Sequence, residues 1–345
     1  TGVPAVFDGY TARADLQPHQ NRLDFVRDLL AEELPSGDED YDHELIRTLA
    51  LLGAVKQPLV GKLLQGITSD STPADDIHRL IALCRVAAER SADESQATAA
   101  ALVRLEIKIR EQQLKQDSNW DDRISELAEA LCQRDSDVPK LIAEHTEFGL
   151  AGHAIFLKLI PGELKEEVID AFVRQILAAS NYAWTDEVVV LLGDSPVPQY
   201  QELLRSQLDN PDVHDAVLQT MARAPRPDDR QVFLDGLSSV QLKSVKASAA
   251  ALQELSRSNT AAEQFLLLAA AERLKNDEAE LQVCETIVRL LQNNMAQEFG
   301  FVIDSKGYRP QPEVLKRWRT YLTERFPDDV PPVAGGQAAA DVMGR

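Results

Sequence analysis

The apolar positions of this chain recur with the period of an α-helix. In residues 75–89, DDIHRLIALCRVAAE, Ile77, Leu80, Ile81, Cys84 and Ala88 fall at i, i+3, i+4, i+7 and i+11, one stripe of an amphipathic helix. Thr72 is placed to cap that helix, Pro73 suits its first turn, and Asp75 stands at the capping-box position. Ser118 and Asp121 repeat the cap ahead of the stripe Ile124, Leu127, Ala128 and Leu131. A third stripe is Leu281, Cys284, Val288 and Leu291. Strand-like alternation has no comparable run. The nearest is EFGFVIDSKGYRP, residues 298–310, where Phe301, Val302 and Ile303 precede a turn at Asp304 to Gly307. It reads either as a small hairpin or as a loop joining the last two helices.

The spacing of the helices predicts an architecture. Starts fall near Pro196, Asn210, Arg226, Ser239, Asn259 and Asp277. Alternate starts at 196, 226 and 259 are 30 and then 33 residues apart, the length of a helix–turn–helix unit. The expected fold is therefore all-α, a HEAT-like α-solenoid of degenerate helix pairs. The N-terminal half is more irregular, with a long helix from Asp93 to Leu114, and an irregular bundle is the alternative there. Residues 1–18 read as an extended N-terminal segment, 19–327 as the helical-repeat domain, and 328–345 as a linker rich in Pro, Gly and Ala.

Charge narrows the partners. The chain of 345 residues carries 56 acidic and 36 basic side chains, a formal net charge of −20. Such a chain repels phosphate backbones and gains nothing from an anionic membrane, so neither nucleic acid nor membrane insertion is expected. The acidic residues are dispersed among apolar ones, which make up 44% of the chain, and this argues against wholesale disorder. No apolar run reaches the length of a membrane span.

Candidate chemistry is sparse. In PSGDEDYDHELIR, residues 35–47, Asp38, Asp40 and Asp42 alternate as oxygen ligands do in a calcium loop. Counted from Asp38, however, the glycine position holds His43 and the bidentate glutamate position holds Leu49, so the loop fails. The stretch reads instead as an acidic helix start. The histidines are His19, His43, His78, His145, His153 and His214, with no H-E-x-x-H among them. His78 and Cys84 share a helix but lie about 600° apart in rotation, on different faces. His78 is expected at the solvent edge. Cys84 and Cys284 fall inside apolar stripes and Cys132 flanks one, so buried, inert thiols are expected. In residues 314–327, VLKRWRTYLTERFP, the aromatics Trp318 and Tyr321 share a stripe with Val314 and Leu322, which makes Lys316, Arg317 and Arg319 a solvated face. No G-x-S-x-G elbow, Walker loop or G-x-G-x-x-G occurs. No catalytic, cofactor-binding or metal-ligating residue is assigned, and no cofactor is expected.

Several segments resemble a known group of proteins. DDIHRLIALCRVAAERS, NWDDRISELAEALCQRD, EFGLAGHAIF and GYRPQPEVLKRWRTYLTERFP are similar to the helical region of large planctomycete-type exported proteins. Those proteins join a dehydrogenase-like propeller, HEAT-like repeats and a c-type haem domain. The resemblance covers residues 40–327. The chain has no C-x-x-C-H and no β-rich propeller, so no haem or dehydrogenase residue carries over. The resemblance implies a periplasmic or otherwise exported setting. The expected function is a non-enzymatic scaffold or spacer that binds protein or positions neighbouring domains of a longer exported protein. The rivals are a HEAT-like repeat enzyme acting on nucleic acid, of DNA-glycosylase type, and an intracellular adaptor. The first rival requires a continuous basic groove.

Overall fold

The computed structural model describes residues 5–12, 14–53, 57–274, 278–301 and 312–331. Among them no strand occurs, and the all-α class expected from the sequence holds. The chain divides into two compact units, residues 1–184 and 185–345.

The first unit contains α1 (Gln20–Glu33), α2 (Glu39–Leu52), α3 (Gln57–Gln65), α4 (Pro73–Arg85), α5 (Ala92–Glu111), α6 (Trp120–Arg134), α7 (Val138–Glu144) and α8 (Lys165–Ala178). Alternate helices are neighbours: α2 packs on α4 and α4 on α6, while α3 packs on α5 and α5 on α7. Helix α4 touches both rows, and Leu80, Ile81, Ala82, Leu83 and Cys84 are all buried in it. Its start follows the expected box, with the Thr72 side chain accepting from Asp75 N and the Asp75 carboxylate accepting from Thr72 N. The buried Lys108 of α5 ties the loop before α4 to the same core. Its Nζ donates to Asp76 Oδ2 at 2.5 Å, to Ser71 Oγ at 2.9 Å and to the carbonyls of Thr68 and Ser71.

The second unit contains α9 (Asp186–Gly193), α10 (Pro198–Arg205), α11 (His214–Met221), α12 (Arg230–Gly236), α13 (Leu242–Glu254), α14 (Ala261–Arg273), α15 (Glu278–Met295) and α16 (Pro312–Arg325). The alternation recurs. Helices α9, α11, α13 and α15 pack in series, and α12, α14 and α16 form a second series. Paired arginine–carboxylate contacts staple that second row. Arg205 at the end of α10 grips Asp229 just before α12, Arg230 of α12 grips Glu263 of α14, and Arg319 of α16 grips Glu272 of α14. Helices α10 to α15 begin within a few residues of the expected starts. A 3-10 turn at Pro227–Asp229 delays α12.

Several local expectations are corrected. Ser118 does not cap α6, whose N-cap is Asn119 with no side-chain bond. The Asp117 carboxylate takes the Asn119 N–H at 2.8 Å instead, a local turn that competes with the cap. Helix α4 stops at Arg85, short of Ala88, and the Arg90 guanidinium satisfies the terminal carbonyls of Leu83 and Val86. The segment before α1 is not extended throughout. It makes 3-10 turns at Ala5–Phe7 and Gln17–His19, and Val6 and Phe7 are buried, with Val6 N donating to Glu126 of α6. Most of the 298–310 stretch lies outside the described residues, as does the tail from 332 onward. Trp318 and Leu322 are fully buried while Lys316, Arg317 and Arg319 are exposed, as the stripe predicts.

Candidate functional site

The acidic stretch at 35–47 forms a capped helix start. The Asp38 side chain accepts from Tyr41 N at 3.1 Å, and Asp42 accepts from Ser36 N at 2.9 Å. Both carboxylates serve backbone donors, which is the structural role expected of acids at a helix N-terminus. The turn does bring His43 against α4, where it meets His78 with ring centroids 4.8 Å apart.

His78 is buried, not at the solvent edge as its stripe position suggested, because α4 is covered on both sides. Its Nε2 donates to the His43 carbonyl at 3.1 Å and its Nδ1 accepts from the Tyr10 hydroxyl at 2.6 Å. A carbonyl can only accept, so the proton sits on Nε2 and the neutral ring receives the Tyr10 proton. Burial, with the nearby His43, lowers the His78 pKa to about 4. The His43 Nε2 lies 2.8 Å from Asp75 Oδ1, and no well-aligned hydrogen bond joins them. Glu39 stands one turn before His43, and its carboxylate, the His43 ring nitrogen and an Asp75 oxygen fall within 4.8 Å of one another. Burial by itself raises the Asp75 pKa, but the Thr72 hydroxyl and N–H and the His43 ring together hold it below its ordinary value.

His153 is wholly buried. Its Nδ1 accepts from Gly149 N at 3.0 Å and Leu150 N at 3.1 Å, and its Nε2 faces the Val103 carbonyl at 3.0 Å. Two backbone donors on Nδ1 fix the Nε2–H tautomer, and burial lowers the pKa to about 4. Cys84 borders a cleft with Phe7, Glu126 and Arg134, but burial pushes its thiol up to about 12, the reverse of an activated nucleophile. Burial likewise pushes Cys284 to about 12 and Cys132 to about 11. Arg205, Arg230 and Arg319 are each held by a carboxylate.

Helix α1 presents a different arrangement, which the stripe reading missed. Its face toward the rest of the unit carries Arg27, only 7% exposed, while Phe25 is 71% and Leu29 51% exposed. Arg27 Nε donates to the Leu52 carbonyl at 2.7 Å, its Nη2 reaches the same oxygen, and Nη1 reaches Asp24 and Gln20. Leu52 ends α2 and Gly53 follows in the left-handed conformation, φ +65°, so Arg27 neutralises a helix C-terminus. This demand on Arg27 sets the rotation of α1. Phe25, Val26 and Leu29 are left outward, with Asp24, Asp28, Glu32 and Glu33 on the same helix. The readable signal was apolar residues on both sides of the helix: Leu23 and Leu30 on one, Phe25 and Leu29 on the other.

No protein-family model matches the chain. Comparison with curated proteins gives no match, and comparison with solved structures gives none either. No helix among the described residues is long and apolar enough to cross a membrane.

Proposed function

We propose that this chain is a non-catalytic, HEAT-like helical scaffold that docks a partner protein on the outer face of α1. The observation that carries the reading is the rotation of α1, with its arginine turned in and its phenylalanine and leucine turned out. An exposed Phe or Leu forgoes roughly 1.5–3 kcal/mol of burial, and such residues grouped on one helix mark an interaction face. The alternating rows of helices in each unit support the solenoid description, since each helix meets the next but one. The stapled row α10–α12–α14–α16 repeats one kind of contact along the second unit.

The occupant is a basic amphipathic helix. The apolar patch needs apolar residues at i and i+4, and its acidic rim of Asp24, Asp28, Glu32 and Glu33 selects flanking Lys and Arg. A synthetic helical peptide with a leucine stripe and lysine flanks tests this. It binds the intact chain, binding weakens with salt, and Phe25→Glu with Leu29→Glu weakens it at least tenfold while leaving the melting curve unchanged. Equal binding of a peptide with glutamate flanks, or no effect of the two substitutions, overturns the proposal.

A further inference from the structure

We infer that Glu39, His43 and Asp75 form a binding site for a divalent transition-metal ion. Two elements build it. Glu39 and His43 lie at i and i+4 on α2 and share a face; Asp75 comes from the first turn of α4. Their donor atoms fall within 4.8 Å of one another. The geometry of His43 is the second observation. Its Nε2 is buried and without a hydrogen bond, although Asp75 Oδ1 is only 2.8 Å away. The 2.8 Å separation of Nε2 and Oδ1 is close to that of two adjacent ligand atoms on one cation. At metal–ligand distances of about 2.1 Å, that separation corresponds to ligands at about a right angle, as in six-coordinate sites.

The surroundings hold the ligands in place. The other Asp75 oxygen accepts from the Thr72 hydroxyl at 2.7 Å, which fixes the carboxylate and leaves Oδ1 directed at His43. The His43 carbonyl accepts from His78 Nε2, pinning this turn of α2 to α4. His78 itself is committed, with Tyr10 on Nδ1, and is not a ligand. One imidazole and two carboxylates balance a dication and leave positions for water, a donor set suited to Zn²⁺, Co²⁺ or Ni²⁺. Glu39 is exposed and would be the outer ligand.

The test is titration of the metal-free, tag-free full chain with Zn²⁺, followed by Co²⁺ and its visible absorption. The expected result is one equivalent bound, a rise in melting temperature with metal, and Co²⁺ bands that Zn²⁺ displaces. His43→Ala abolishes stoichiometric binding. Glu39→Gln, at an exposed position where folding is not at risk, weakens it at least tenfold. His214→Ala, a surface histidine on α11, leaves it unchanged. Sub-stoichiometric binding by the intact chain, or binding that survives both His43→Ala and Glu39→Gln, means that His43 and Asp75 are an ion pair only and overturns the site.

Discussion

The Arg230 guanidinium grips the Glu263 carboxylate with two parallel hydrogen bonds, Nε to Oε2 at 2.9 Å and Nη2 to Oε1 at 2.7 Å. The pair joins α12 to α14, and Glu263 is only 4% exposed. Hydrogen bonding to Glu263 raises the Arg230 pKa, so the arginine stays charged. The fork-to-fork geometry fixes both the distance and the rotation of the two helices.

Breaking this pair from one side is expected to cost more than replacing both members. Arg230→Met strands a buried carboxylate and should destabilise the chain by about 3–5 kcal/mol. Adding Glu263→Leu to that variant should restore much of the loss. A double-mutant cycle in denaturant measures the coupling, and additive losses would show that the pair contributes no specific interaction.

Stability should fall with acid through His153. Its folded pKa is about 4 against an ordinary 6.5, so the unfolded chain binds the extra proton between those values. The neutral ring therefore contributes fully above pH 6.5, and its share is lost as pH drops toward 4, about 3 kcal/mol in all. His78, with the same direction of shift, adds to the slope in the same window. Urea unfolding at pH 7, 6 and 5 checks this. His153→Ala should be less stable at pH 7 and should show a slope shallower by up to one proton.

Cys84 and Cys284 should be inert in the folded chain. Cys84 and Cys284 are buried with raised pKa values, and Cys132 is half-buried. A thiol-reactive chromophore at pH 8 should label Cys84 and Cys284 only on unfolding, with Cys132 reacting slowly. Rapid labelling of three thiols in native buffer would contradict the burial.

Gly149 should tolerate no side chain. Its φ is +113°, and a Cβ there would stand 2.4 Å from the Ala171 carbonyl oxygen. The close approach lets Gly149 N reach His153 and its carbonyl accept from the Tyr182 hydroxyl at 3.0 Å. Gly149→Ala is expected to lose more than about 2 kcal/mol, from backbone strain together with the clash. A melting temperature equal to that of the parent would show that α8 can move away.

The sequence by itself determined the all-α class, the buried stripes of α6 and α15, and the capping at Thr72. These are local: the period of apolar residues and the chemistry of one turn fix them without reference to the rest of the chain. It also settled the failure of the calcium loop, since His43 and Leu49 occupy the positions that glycine and glutamate require. Tertiary structure decided which faces are covered. His78 lies on a polar-looking edge of its stripe, but neighbours on both sides of α4 bury it. The meeting of His43 with Asp75, 32 positions away in sequence, depends on how α2 docks on α4. The outward turn of Phe25 and Leu29 is fixed by a carbonyl at Leu52, 25 residues from Arg27. Periodicity shows that a helix has an apolar side. A distant backbone oxygen that must be satisfied decides which side faces in.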